Sequence, residues 1–158
     1  MKIGIVGSGN VGGTLGARWA RNGHEVFFAV RGEPSAQVRE VLSIAKTGTA
    51  AEAAAASEVI LLATPWEATQ EAIASAGDLT GKILIDATNP LLPAFAGFTT
   101  PQGSSGGEQV AQWARGAKVV KALNTVGFNI MADPKFEAGT VAMFYCGDDA
   151  AARKPLRR

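Results

Sequence analysis

The sequence predicts a doubly wound α/β fold: a mostly parallel sheet with helices on both faces. Three observations carry this. Short runs that are apolar throughout, such as residues 59–63, alternate with stretches at helical spacing, the pattern of strands buried on both faces by crossover helices. The first apolar run passes directly into Gly7-Ser8-Gly9-Asn10-Val11-Gly12 and then into a helical stretch. The chain has 158 residues, 47% hydrophobic and 18% charged, which suits a single domain.

In chain order, residues 3–6 form the first strand. Residues 10–21 form a helix that stops at Asn22-Gly23, a strong C-terminal signal. Residues 25–30 are the second strand. Residues 35–46 read as a helix, with Val38, Val41, Leu42 and Ala45 at helical spacing. Residues 47–50 form a short third strand and residues 51–56 an alanine-rich helix. The fourth strand is 59–63, followed after Pro65-Trp66 by a helix over 67–76. The fifth strand is 83–87. A helix at 108–115 leads to a sixth strand at 119–123, and a seventh spans 140–146. Each parallel crossover is expected to be right-handed.

One connection is unusual. Residues 89–107 hold three prolines, four glycines and two phenylalanines, with little periodicity. Loops of that length are uncommon unless functional or disordered. It follows the carboxyl end of a strand, where open α/β sheets bind ligands. Phe95 and Phe98 give it apolar surface, so it reads either as a covering loop or as a surface excursion.

Composition excludes several classes. Lys and Arg number 15, Asp and Glu 14, so no general electrostatic pull toward nucleic acid or anionic membrane is expected. Residues 153–158 hold four basic side chains and read as a solvated face or frayed tail. The single cysteine, Cys146, allows no intrachain disulfide or cysteine-rich metal site. Its apolar neighbours predict a buried, inert thiol. The amino terminus lacks a long apolar segment with a cleavage site, and no stretch has the length of a membrane span. A cytoplasmic protein is expected.

The glycine loop carries chemistry because of its context. A glycine triplet alone is weak; here it follows a strand and opens a helix, as dinucleotide binding requires. Gly7 permits the tight turn, Gly9 lets the backbone approach a pyrophosphate, and Gly12 lets the helix pack closely. The helix amino terminus offers unpaired N–H groups and a positive dipole end. Ser8 and Asn10 are placed to add hydrogen bonds to phosphate, and Val11 completes the loop. Gly12, Gly16 and Ala20 continue a small-residue stripe. The fold is thus a Rossmann domain.

The choice between NAD and NADP falls at the end of the second strand. A carboxylate there would accept bonds from the ribose hydroxyls. This chain has Val30-Arg31, and a guanidinium suits a 2′-phosphate. Ser35 lies close enough in sequence to assist. Glu33 is the competing ribose carboxylate. NADP(H) is the expected cofactor.

The reactive end of the cofactor is expected across later strand tips: Thr64-Pro65-Trp66, Thr88-Asn89-Pro90 and Leu123-Asn124-Thr125. Trp66, Asn89, Asn124 and Thr125 are the ring-proximal candidates, with helix capping and plain packing as the alternatives. Acid–base candidates are sparse. His24 sits at the amino end of the second strand, on the wrong edge. Tyr145 lies within a strand with no nearby lysine. Lys121 lies inside the sixth strand and would reach the cleft only if it points that way. Asp86 has no evident partner. Carbonyl or imine reduction usually needs a proton donor, whereas hydride exchange between two bound rings needs mainly proximity.

The chain resembles the NADPH-dependent reductases of the deazaflavin coenzyme F420. The resemblance rests on Lys2-Ile3-Gly4-Ile5-Val6 with the glycine loop, Asn22-Gly23-His24-Glu25-Val26, Thr64-Pro65-Trp66, Lys121-Ala122-Leu123-Asn124-Thr125 and Cys146-Gly147-Asp148-Asp149. It covers nearly the whole chain. It implies hydride transfer between NADPH and a deazaflavin coenzyme or related flat acceptor, with the deazaflavin as co-substrate. By the same resemblance Arg31 meets the 2′-phosphate, and Ser8, Gly9 and Asn10 form the phosphate loop. Pro65, Trp66, Asn89, Asn124 and Thr125 surround the two rings, although some relatives carry histidine where Asn124 stands. The wider grouping includes metalloreductase domains and resembles pyrroline-carboxylate reductases. Family members usually continue with C-terminal helices, so residues 1–158 are expected to be a single dinucleotide-binding domain lacking them, shortened or completed by a second chain as in a homodimer. The competing readings are a non-catalytic NADP-binding, redox-sensing module and an imine or carbonyl reductase. The expected partners are small molecules, with no nucleic acid, membrane or metal.

Overall fold

The computed structural model describes residues 1–92, 94, 96–136 and 139–154. Phe95, Arg157 and Arg158 lie outside these. The elements are β1 (Lys2–Val6), α1 (Asn10–Arg21), β2 (Glu25–Ala29), α2 (Ala36–Arg39), β3 (Lys46–Gly48), α3 (Ala50–Ala55), β4 (Val59–Leu62), α4 (Thr69–Ala76) after a 3-10 turn (Trp66–Ala68), β5 (Ile83–Asp86), α5 (Gly106–Trp113), β6 (Lys118–Ala122), α6 (Phe128–Ala132), β7 (Lys135–Phe136), β8 (Gly139–Thr140) and β9 (Tyr145–Cys146).

The main sheet runs β3-β2-β1-β4-β5-β6-β9. Its first six strands are parallel and β9 is antiparallel to β6. Alternation of side chains divides each strand between two cores. Ile5, Phe28, Leu61 and Ile85 face α1, α2 and α6, while Val6, Ile60, Leu62 and Leu84 face α3, α4 and α5. Phe28 and Leu61 are fully buried, each contributing about 1.5–3 kcal/mol of apolar transfer energy. One register row crosses the sheet near the carboxyl ends: Ala29, Val6, Leu62, Asp86 and Lys121. The loops beyond that row therefore share one edge.

The predicted helix over residues 35–46 is only four residues long. Beyond Arg39 the backbone tightens to i→i+3 bonds, Val41 N to Val38 O and Ile44 N to Val41 O. The tighter turn sends Val38 and Val41 together into the core and leaves Leu42 45% exposed. The third strand ends two residues earlier than predicted, at Gly48, because Thr49 is already a helix cap. Its side chain accepts from Glu52 N, and Glu52 accepts from Thr49 N, a capping box. Those bonds, the Thr49 backbone N–H first, hold the Glu52 carboxyl below its ordinary value.

The predicted seventh strand over 140–146 is broken. Gly139–Thr140 pairs back on Lys135–Phe136, and only Tyr145–Cys146 joins the sheet. Gly147 explains the docking point: a Cβ there would lie 2.6 Å from Val119 O. An edge strand with one neighbour leaves Cys146 exposed, which corrects the buried thiol. Helix α6 was not anticipated. Arg18 of α1 closes its end, Nη1 donating to Met131 O at 2.9 Å and to Ala132 O. After β9, Asp149 accepts from Ala152 N at 2.8 Å. That bond, with Lys118 beside it, holds the Asp149 carboxyl below its usual range. Among the described residues, no helix is long and apolar enough to cross a membrane.

Candidate functional site

The loop after β1 and the loops after β2 and β4 enclose a cleft of about 390 Å³. Gly7, Ser8 and Gly9 form its floor. Val30, Arg31, Glu33 and Ser35 line it from the β2 side, Thr64 and Pro65 from the β4 tip, and Ala50, Glu71, Ala72 and Ser75 from α3 and α4.

Each glycine of the loop has a distinct physical reason. Gly7 has φ +98°, and a Cβ there would sit 2.5 Å from Ala63 O. It permits the turn and also close approach to the β4 tip. A Cβ at Gly12 would fall 2.0 Å from Gly7 O, so the helix could not fold back on its own loop. Gly9 is different: a Cβ there would meet nothing within 4 Å. The space over Gly9 is open on the cleft side, room for a ligand to touch backbone.

Gly9 is also the N-cap of α1, with no side-chain capping bond and no acidic residue in the first turn. Helices α3 and α5, by contrast, are closed by the capping boxes Thr49/Glu52 and Ser105/Glu108. A helix end left without such a cap beside an open cleft attracts an anion. Asn10 is exposed and Val11 half-buried at this end. On the wall, Arg31 is exposed and Ser35 Oγ is buried without a hydrogen-bond partner among the described residues. An orphaned hydroxyl in a cleft wall calls for a ligand atom or water. The residues present fit the adenosine and diphosphate parts of a dinucleotide.

The strand tips are held from within. Thr64 Oγ1 lies 3.0 Å from Thr69 Oγ1, which donates to Pro65 O at 3.1 Å. Trp66 packs against Trp113 with ring centroids 5.3 Å apart. Asn89 and Asn124 meet across the β5 and β6 tips. Asn89 Nδ2 donates to Asn124 O at 2.9 Å and Asn124 Nδ2 to Asn89 Oδ1 at 3.2 Å. Leu123, just before, has φ +67°, a costly conformation for a leucine. Thr125 is exposed beside them. These four ring-proximal candidates lie along the same edge but do not line the glycine-loop cleft itself.

Asp86 has partners, contrary to the sequence reading. It is fully buried. Oδ1 accepts from Thr88 N at 2.9 Å and Thr88 Oγ1 at 2.7 Å, and Oδ2 accepts from Lys121 Nζ at 2.9 Å. Lys121 Nζ also donates to Thr88 O. Lysine 121 therefore points inward to this ion pair rather than into the cleft. His24 Nδ1 lies 3.3 Å from the amino-terminal nitrogen, at the far end of the sheet. In the 89–107 connection, Leu91 bridges Phe98, and Phe98 is 69% exposed. No cluster of three metal-ligating side chains occurs among the described residues. Sequence reasoning missed Ala50, Glu71, Ala72 and Ser75. Helical spacing puts 71, 72 and 75 together, yet nothing in the sequence says which face looks onto the cleft.

Glycine loop, uncapped helix end and strand order together define a dinucleotide-binding domain of the Rossmann type. Residues 2–90 match the family model "NADP oxidoreductase coenzyme F420-dependent", and the chain belongs to that family. It is 31% identical over 150 residues to the F420-dependent NADP reductase of Methanothermobacter marburgensis, covering 84% of this chain and 67% of that one. It is 29% identical over 153 residues to metalloreductase STEAP3 of Rattus norvegicus, covering 96% of this chain and 30% of that one. Among solved structures, a putative F420-dependent NADP reductase from Arthrobacter superposes with a TM-score of 0.87 at 32% identity, over 99% of this chain and 78% of that one. Pyrroline carboxylate reductase of Plasmodium falciparum, at 14% identity and a TM-score of 0.67, shares the fold.

Proposed function

We propose that this chain binds NADP(H) and transfers hydride between NADPH and a deazaflavin coenzyme of the F420 type, or a related flat acceptor. The observation that carries the reading is the uncapped α1 terminus at Gly9, opening onto a cleft whose wall holds Arg31 and the unpartnered Ser35 hydroxyl. In this reading Ser8, Gly9, Asn10 and Val11 hold the diphosphate through backbone N–H groups and the helix dipole. Gly7 and Gly12 shape the loop. Arg31 and Ser35 hold the 2′-phosphate, the guanidinium as a planar fork. Glu33 lines the same cleft.

When bound, NADPH would supply the hydride, and solvent the proton, that the acceptor takes up. The protein's part is to hold two rings together and exclude other geometries. Thr64 and Pro65 border the cofactor, and Trp66, Asn89, Asn124 and Thr125 border the rings. The Asn89–Asn124 pair fixes two amides at the strand tips. Lys121, a candidate proton donor at the β6 tip, is committed to Asp86, which favours ring-to-ring transfer over imine or carbonyl reduction.

The test mixes the purified chain with NADPH and oxidised deazaflavin and follows deazaflavin absorbance, with NADH in parallel. Bleaching with NADPH and little with NADH is expected. NADPH binding without bleaching would sink the acceptor and leave a binding module; turnover of imines without deazaflavin would replace the reading with the third.

A further inference from the structure

The parallel ladder between β5 and β6 ends at the register pair Asp86 and Lys121. Beyond it, side chains join the two tips. Asp86 is fully buried and Thr88 is 2% exposed. Thr88 N and Oγ1 both donate to Asp86 Oδ1, and Lys121 Nζ donates to Asp86 Oδ2 and to Thr88 O. The N–H, hydroxyl and carbonyl of Thr88 are thus all bound to the ion pair. The next residue, Asn89, donates to Asn124 O and accepts from Asn124 Nδ2. Asn124 in turn follows Lys121 on β6 through Leu123, at φ +67°. The bonds close a ring: Lys121 to Thr88, along the chain to Asn89, across to Asn124, and along the chain back to Lys121. A backbone conformation costly for leucine persists only where its surroundings enforce it, and such positions gather at functional sites. A buried ion pair adds little stability over well-packed apolar side chains. What this one adds is direction, because it fixes the peptide groups on both sides of Thr88.

We propose that Thr88, clamped by Asp86 and Lys121, is a positioning residue for hydride transfer that sets the Asn89–Asn124 amide pair. The inference rests on the reading that those two asparagines border the rings. Thr88 is buried and its hydroxyl is spent on Asp86, so it acts through Asn89 rather than on a ligand. Hydride exchange between two rings depends on their orientation, and a displacement of about 1 Å can cost about a hundredfold in rate.

Thr88→Val keeps the shape of the side chain and both backbone bonds but removes the hydroxyl donor; Thr88→Ser keeps the donor. The full chain is assayed for deazaflavin bleaching by NADPH, with titration of 2′,5′-ADP in parallel. Thr88→Val should lower kcat by about tenfold. Its affinity for 2′,5′-ADP should not change, because none of these residues lines the glycine-loop cleft. Thr88→Ser should keep kcat near the wild-type value. Adding Thr88→Val to Asn89→Ala should cost nothing further, since two residues acting through one contact are not additive. Wild-type kcat in Thr88→Val, no rescue by serine, or additive losses in the double variant would overturn the proposal. So would a loss of 2′,5′-ADP affinity matching the loss of kcat, the mark of a domain loosened throughout. A wild type that binds 2′,5′-ADP without bleaching the deazaflavin would overturn the acceptor reading, and this inference with it.

Discussion

Gly9 and Gly12 stand three residues apart in one motif and are expected to answer substitution in opposite ways. Gly9→Ala adds a methyl that touches nothing in the protein. Its thermal midpoint should match the wild type, while NADPH affinity falls at least about tenfold as the methyl occupies the ligand's approach to backbone. Gly12→Ala places a methyl 2.0 Å from Gly7 O. That overlap forces helix and loop apart and should destabilise folding by about 1–3 kcal/mol, with binding lost as a consequence. Calorimetry with parallel titrations separates the two. A destabilised Gly9→Ala would show that the loop, not the ligand, requires that glycine. The spacing of these glycines was legible in the sequence because motif context fixes the backbone conformation locally. The orphaned Ser35 hydroxyl was not, since the lack of a partner is a property of the surroundings.

At the scale of elements, β5 and β6 are joined by a charged pair that one-dimensional reading could not connect. Asp86 and Lys121 lie 35 residues apart and meet only because parallel register sets them opposite one another. Breaking the pair should cost more than replacing it. Asp86→Ala leaves a largely buried ammonium without its counter-ion, an expected loss of about 3 kcal/mol. Asp86→Leu with Lys121→Met should recover part of that loss, since apolar packing replaces the ion pair while Thr88 N and Oγ1 stay without their acceptor. Urea unfolding of both proteins measures this. Equal losses would mean that the Thr88 bonds to Asp86, not the ion pair, dominate. The six parallel strands were readable because a buried strand is apolar along its whole length. Elements set by contacts elsewhere were not readable. Helix α6 depends on Arg18 from α1 for its end, and the break before β9 reflects a single docking point at Gly147. In α2, helical spacing at 38, 41, 42 and 45 predicted four inward residues, and the tighter turn delivered only some of them.

For the whole molecule, the strand order sets β1 between halves that run outward in opposite directions, and the cleft opens at that reversal. Its walls come from the loops after β1, β2 and β4 and from α3 and α4. A ligand seated there bridges both cores of the sheet. Binding should therefore stabilise the domain as one cooperative unit. At a hundredfold excess over its dissociation constant, a ligand of the native state adds about 2.7 kcal/mol, a rise in thermal midpoint of about 5–10 °C for a chain of this size. If Arg31 and Ser35 hold the ribose phosphate and Gly9 the diphosphate, the cleft grips the adenosine half, and 2′,5′-ADP at the same relative excess should give a comparable shift and a single transition. Differential scanning calorimetry decides it. A shift with NADPH but none with 2′,5′-ADP would mean that affinity resides at the strand tips around Asn89 and Asn124, and that the glycine-loop cleft is not the anchor. Two separate transitions, only one of them ligand-dependent, would mean that the two cores unfold independently and that the ligand secures one of them alone.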